Sequence, residues 1–181
     1  MKRIEIQLSS ESIRKALHEI EQYKEDMNRK VSLFVNRLSE YGISVAKSNT
    51  GTFDEYITFS KEITNEKDEY VGTIVMSNLG LVKSEWKVKG GTREVEINPI
   101  LMSEFGSGFM ADSARGKEFG AGQGTLNTYG HAFDKKGWWW VDMQGVKHHS
   151  WGERPNKPLF KSAFFMRRNI LNIANEVFGN G

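Results

Sequence analysis

Three groups of residues in this 181-residue chain have types and spacing that could do chemistry. Gly120-Ala121-Gly122-Gln123-Gly124 has the glycine density of a phosphate-cradling loop. His148-His149, with Asp142 or Glu153 close in sequence, offers imidazole and carboxylate ligands to a metal. Glu104 and Asp142 are the one carboxylate pair that could frame a hydrolytic cleft. Each falls short on its own terms. A phosphate loop needs Gly-Lys-Ser/Thr opening a helix, and a dinucleotide fingerprint needs a strand before it and a helix after. Thr125-Leu-Asn-Thr-Tyr-Gly130 is a poor helix start, so this stretch reads as a loop. Adjacent histidines on a strand point to opposite faces and cannot chelate together. His18 and His131 have no partners at metal-motif spacing. For Glu104, hydrogen bonds to nearby backbone N–H groups are a simpler role than catalysis. With no cysteine, disulfides, thiolate catalysis and zinc–cysteine sites are excluded. The expectation is a chain that is not an enzyme, with no catalytic residue, no cofactor and no metal.

Aromatic and basic residues offer a different kind of site. Trp138-Trp139-Trp140 reads as a strand with tryptophans on both faces, and Trp151 follows in the next strand. Both faces of such a strand need cover, and interfaces favour tryptophan. These four, with Arg167 and Arg168, are the candidate interface residues. Lys135, Lys136, Lys157, Lys161, Arg167 and Arg168 beside aromatics could also serve as a single-strand nucleic-acid platform. They are spread over 34 residues with acids between, which makes that signal weak.

The elements that must position these residues follow from hydrophobic periodicity. Ser9 and Ser10 offer an N-cap, and Ile13, Leu17, Ile20, Met27, Val31, Phe34, Val35 and Leu38 recur at helical spacing. Gly42 predicts a bend or restart, so residues 1–50 form one long helix or two in succession. Residues 53–63 alternate with Ile57, Phe59 and Ile63 on one face. Residues 69–77 alternate with Tyr70, Ile74 and Met76 opposite Val71, Thr73 and Val75. Val82, Trp86 and Val88 lead to Gly90-Gly91, and Thr92–Ile97 returns, which predicts an antiparallel meander over 53–97. Pro99 opens a short helix through Met102 and Phe105 that stops at Gly106. Residues 107–137 are a glycine-rich loop, since eight of the 18 glycines lie from Gly106 to Gly137. A hairpin over 138–151 follows. A closing helix over 159–178 has Phe160, Ala163, Phe164, Ile170, Leu171, Ala174 and Phe178 as its apolar face, packed on the sheet, with Gly179 as its stop.

The class is therefore α+β, one domain over 1–181. Charge is uneven along it. Residues 1–50 carry nine basic and seven acidic side chains (+2), residues 51–97 six and nine (−3), and residues 98–181 ten and seven (+3). In a repeating assembly such patches could set register between subunits. The start, Met1-Lys-Arg-Ile-Glu-Ile-Gln7, has no apolar run for a signal peptide, and no stretch approaches the ~20 apolar residues of a span. The expectation is a cytoplasmic chain without membrane contact.

Glu104-Phe105-Gly106-Ser107-Gly108 is similar to a Glu-Phe-Gly-Thr-Gly-like signature, Gly137-Trp138-Trp139-Trp140 looks like an aromatic strand after a long loop, and Pro155, Pro158 and Phe160 match a proline-aromatic helix start. In these features the chain resembles the tail-completion or neck proteins of long-tailed bacteriophages, a family of minor tail or head–tail joining components. Two positions depart from the pattern: Leu159 replaces an aromatic after the second proline, and Trp140 stands where a tyrosine is more usual. The resemblance implies an α+β subunit without catalysis that oligomerises, as a ring, between the connector and the tail tube. Its partners would be connector or stopper, tail terminator or tail-tube proteins, with DNA only as passing cargo. Its place would be the virion, and the host cytoplasm during assembly. The glycine-rich loop would order on contact with a neighbouring ring. An accessory nucleic-acid-binding protein is the alternative, and a small hydrolase using Glu104 or Asp142 comes third.

Overall fold

A computed structural model describes residues 9–66, 69–80, 82–88, 91–112, 138–141 and 146–179. Helix α1, Ser10–Lys47, begins as its sequence dictates. Ser9 is extended and its Oγ accepts the Ser12 N–H at 3.2 Å, while Glu11 sits in the first turn against the helix dipole. Asp26 bridges Arg29 at 2.6 Å and Lys30 at 3.3 Å along the exposed surface. Those bonds, Arg29's first, hold its carboxyl below the usual range. At 1.5 Å per residue the helix is roughly 57 Å long.

No bend interrupts it at Gly42. That glycine is buried, and a Cβ there would come within 2.5 Å of Met166 Sδ, 2.6 Å of Ile74 Cδ1 and 3.0 Å of Ser162 Oγ. Gly42 is thus a packing residue, and its helix-propensity cost of about 1 kcal/mol is accepted for close approach.

After α1, Gly51–Tyr56 forms a 3-10 turn, so strand β1 starts at Ile57 and not at residue 53. Gly51 has φ of +69°, and Thr50, buried, holds its hydroxyl 2.9 Å from the Lys47 carbonyl and 2.8 Å from Asp54 Oδ1. This local hydrogen bonding competes with the strand pattern. Strands β1 (Ile57–Glu66) and β2 (Glu69–Asn78) pair antiparallel, with Lys61 opposite Ile74 and Ile63 opposite Gly72. Ile57, Phe59 and Ile63, with Tyr70, Ile74 and Met76, turn inward as their alternation requires, while Val71 and Val75 are exposed. Gly72 shares the inward face. A Cβ there would meet Ser39 Oγ at 2.6 Å and Val35 Cγ1 at 2.8 Å, so α1 lies directly on the ribbon's backbone. Lys61 Nζ reaches across to Asn36 Oδ1 at 2.6 Å and Glu40 Oε1 at 2.5 Å. The lysine's bond holds the Glu40 carboxyl below its usual range.

Strands β3 (Val82–Val88) and β4 (Gly91–Ile97) pair only with each other, as do β5 (Trp138–Val141) and β6 (Lys147–Ser150). The described strands therefore form three two-stranded ribbons, and the meander expected over 53–97 divides between β2 and β3. Asn78 explains the division. Its Nδ2 donates to Asn98 Oδ1 at 3.1 Å and its Oδ1 accepts the Ile100 N–H at 3.2 Å, while the Leu79 N–H bonds back to Tyr56 O. The end of β2 is thereby tied to helix α2, Pro99–Phe105, and not to β3.

The closing helix α3, Pro158–Phe178, runs antiparallel beside the second half of α1. Ser162 Oγ donates to the Gly42 carbonyl at 2.8 Å, Asn169 Nδ2 bonds Tyr41 Oη at 2.8 Å, and the Phe178 and Phe34 rings lie 6.0 Å apart. Its first turns face β2 across a cleft of about 450 Å³ lined by Val35, Leu38, Gly72, Ile74, Leu159 and Met166. No helix among the described residues is long and apolar enough to cross a membrane.

Gly42→Leu fills a space already occupied by Met166, Ile74 and Ser162. Overpacking of this kind costs about 1–3 kcal/mol. The expected loss shows as a lower denaturant midpoint at unchanged slope; a gain in stability, from better helix propensity alone, would contradict the close contact.

Candidate functional site

The residues singled out at 104–108 and 155–160 meet in one knot of backbone and side chains. Asn98 caps α2, its Oδ1 accepting the Leu101 N–H at 3.2 Å, and Pro99 occupies the first turn. The helix ends at Gly106, with φ of +70° and ψ of −165°, a conformation open essentially to glycine alone. A Cβ at Gly106 would strike the Glu153 carbonyl and stand 2.8 Å from Pro155 N. The two segments are as close as backbones can come.

Around that contact the hydrogen bonds are reciprocal. The Ser107 N–H donates to Glu153 O at 2.9 Å and the Glu153 N–H returns to Ser107 O at 3.1 Å. Phe109 N–H reaches Trp151 O at 2.9 Å, and both Asn156 and Lys157 N–H groups reach Ser103 O, at 2.8 and 3.1 Å. Ser103 is fully buried and its Oγ donates to Thr50 O at 2.9 Å, which ties the knot to the end of α1. Buried Phe105 lies beside it, and Gly108 opens a 3-10 turn over Gly108–Met110.

Glu104 completes the arrangement. Its Oε2 accepts the Leu159 N–H at 2.9 Å and its Oε1 the Phe160 N–H at 3.2 Å. Helix α3 has no capping side chain of its own. Its N-cap position is Lys157 in the left-handed region (φ 56°), and Pro158 supplies no N–H. A carboxylate from 55 residues earlier does the capping and meets the positive end of the helix dipole. Lys157 turns its amine to Asp112 Oδ2 at 2.7 Å and lies over the Phe160 ring. Both Glu104 oxygens are thus spent on backbone donors. Its would-be hydrolytic partner, Asp142, lies outside the described residues, as do Gly120–Gly124, His131, Lys135 and Lys136. The same holds for most of the expected loop, residues 113–137. Among the described residues no group of three His, Asp or Glu could hold a metal.

The candidate interface residues are distributed over β5, the residue after β6, and α3. Trp138, Trp139 and Trp140 lie on β5, opposite Ser150, His149 and His148 in register. Trp151 is 54% exposed, edge-on to His149 at 4.3 Å and to Phe109 at 6.5 Å. Arg167 and Arg168 sit exposed on α3, with the Arg168 guanidinium 5.7 Å from the Phe164 ring.

One expectation is overturned on α3. Its buried residues are Pro158, Ser162, Ile173 and Val177, whereas Phe160, Phe164, Ile170 and Leu171 face outward, Leu171 at 74% exposure. The helix meets α1 through small and mid-sized side chains because Gly42 and Ser162 bring the backbones together, leaving its larger residues on the far side. The first half of α1 shows the same pattern. Ile13, Leu17, Ile20 and Met27 are exposed, Leu17 at 55%, while Phe34 and Leu38 on the same stripe are partly covered. Only the spacing of serine and glycine on α1 and α3 could have signalled which face closes.

In comparisons with known proteins, no family model, curated protein or solved structure matches this chain.

Glu104→Ala leaves two helix N–H groups uncapped and costs about 1–2 kcal/mol. Gly106→Ala costs about 1–3 kcal/mol in backbone strain alone, to which the clash of its Cβ with the Glu153 carbonyl adds. Equilibrium denaturation of both variants should give that order; equal, negligible losses would show that the knot does not hold α3.

Proposed function

We propose that this protein is a structural virion component of a phage neck or tail, a tail-completion or head–tail joining subunit that acts by self-association and docking. The observation that carries the assembly reading is the amount of large apolar surface left on ordered helices: Ile13, Leu17 and Ile20 on α1, and Phe160, Phe164 and Leu171 on α3. Isolated exposed apolar residues are ordinary, but rows of them on two helices mark surfaces that are covered by something. The phage assignment rests on the motif resemblance, and what supports it here is physical. The two motif pieces form one hydrogen-bonded knot, and the Glu104 carboxylate in it serves as a cap. A subunit held this way presents fixed faces, as a joining piece must.

Size-exclusion chromatography with light scattering tests this directly. The expected result is a closed oligomer or a concentration-dependent one. A strict monomer at all concentrations, combined with salt-dependent retention on DNA, would favour the nucleic-acid alternative instead.

A further inference from the structure

The two uncovered stripes differ in every respect that matters for pairing. On α1, Ile13, Leu17, Ile20 and Met27 follow a three-and-four spacing that continues through Val31, Phe34 and Leu38. Helix α3 covers only the later part, because Phe178 at its end stands against Phe34. From Phe34 back to Ser10 the helix runs on for 24 residues, roughly 36 Å. On α3 the outward row is Phe160, Phe164 and Leu171, a length of roughly 16 Å, with Arg167 and Arg168 filling the turn between Phe164 and Leu171.

The overhang as a whole is neutral, with five acids and five bases over residues 10–33, but its middle is acidic. Residues 17–26 of α1 carry Glu19, Glu21, Glu25 and Asp26 against Lys24, a net −3. Residues 160–171 of α3 carry Lys161, Arg167 and Arg168 with no acid, a net +3. Asp26 is already engaged by Arg29 and Lys30, which leaves the three glutamates to act outward. A subunit cannot join its own two stripes: α1 lies on the inner side of α3, where Ser162 touches Gly42, and Phe164 and Leu171 face away.

We propose that the overhanging half of α1 docks on the outer face of α3 of a second copy, with Leu17 and Ile20 against Phe164 and Leu171, and with Glu21 and Glu25 beside Arg167 and Arg168. This deepens the assembly reading above and rests on it. The contact is heterologous, since the surface given differs from the surface received, and repetition of such a contact closes into a ring when its rotation allows.

Because the chain has no cysteine, the pairing can be read by cross-linking of engineered thiols. Leu17→Cys and Phe164→Cys replace exposed residues. Under mild oxidation, a mixture of the two variants should yield a mixed disulfide dimer, and each variant alone should yield far less. Light scattering on the same samples reports separately whether copies associate at all. Association with cross-links only within Leu17→Cys samples would overturn this pairing while leaving the assembly reading intact. No association would overturn both. As a second measurement, Arg167→Glu with Arg168→Glu should weaken association more than about tenfold, and Glu21→Arg with Glu25→Arg, mixed in as the partner, should restore it. Unchanged association of the doubly reversed variant would count against the proposed contact.

Discussion

The fold depends on one close approach of two backbones, where Gly106 passes the Glu153–Pro155 segment. Everything on either side is fixed by that contact. On one side, α2 stops and hands Glu104 to the start of α3; on the other, the chain returning from β6 is locked by Ser103 and Ser107 before it enters that helix. No side chain larger than hydrogen fits at the crossing, and no residue but glycine adopts its dihedral angles without strain.

The same economy of side chains governs how α1, α3 and β2 meet. Gly42, Gly72, Ser39 and Ser162 place backbone against backbone, and their hydroxyls donate to carbonyls, Ser39 to Val35 O and Ser162 to Gly42 O. No buried side-chain polar atom among the described residues lacks a partner. Close packing of this sort gives a precise seam but little buried hydrocarbon. The buried apolar side chains among the described residues are few: Ala16, Ala46, Ile57, Pro99, Met102, Phe105, Pro158, Ile173 and Val177. Large side chains that would ordinarily make a core are displaced to outer faces, which is why the molecule carries its hydrophobic rows where a neighbour can reach them.

Periodicity made the elements legible. The Ser9 cap, the inward faces of β1 and β2, the Pro99–Phe105 helix and the closing helix all follow from local pattern, because each is decided by side-chain spacing within one segment. What could not be read were decisions made between segments. Gly42 looks like a helix breaker until Met166 and Ser162 are brought against it. Phe160, Phe164 and Leu171 look like the packing face of α3 until small residues opposite them take that place. Asn78 gives no sign in sequence that it will bind Asn98 and Ile100 and part β2 from β3. Glu104 was recognisable as a backbone-bonded carboxylate, yet its target helix, 55 residues away, was not. A cap supplied from a distant segment has no local signature, since the helix it serves shows only an absence.

In the proposed assembly, the apolar rows turned outward on α1 and α3 are where other copies of the chain dock. That account stands or falls on the knot being as stable as the fold itself. Native-state hydrogen exchange at the Ser107, Glu153, Leu159 and Phe160 amides tests it most directly. All four amides are expected to exchange only through global unfolding, with protection matching the slowest amides of α1. Exchange at the rate of an open loop, while α1 stays protected, would contradict it.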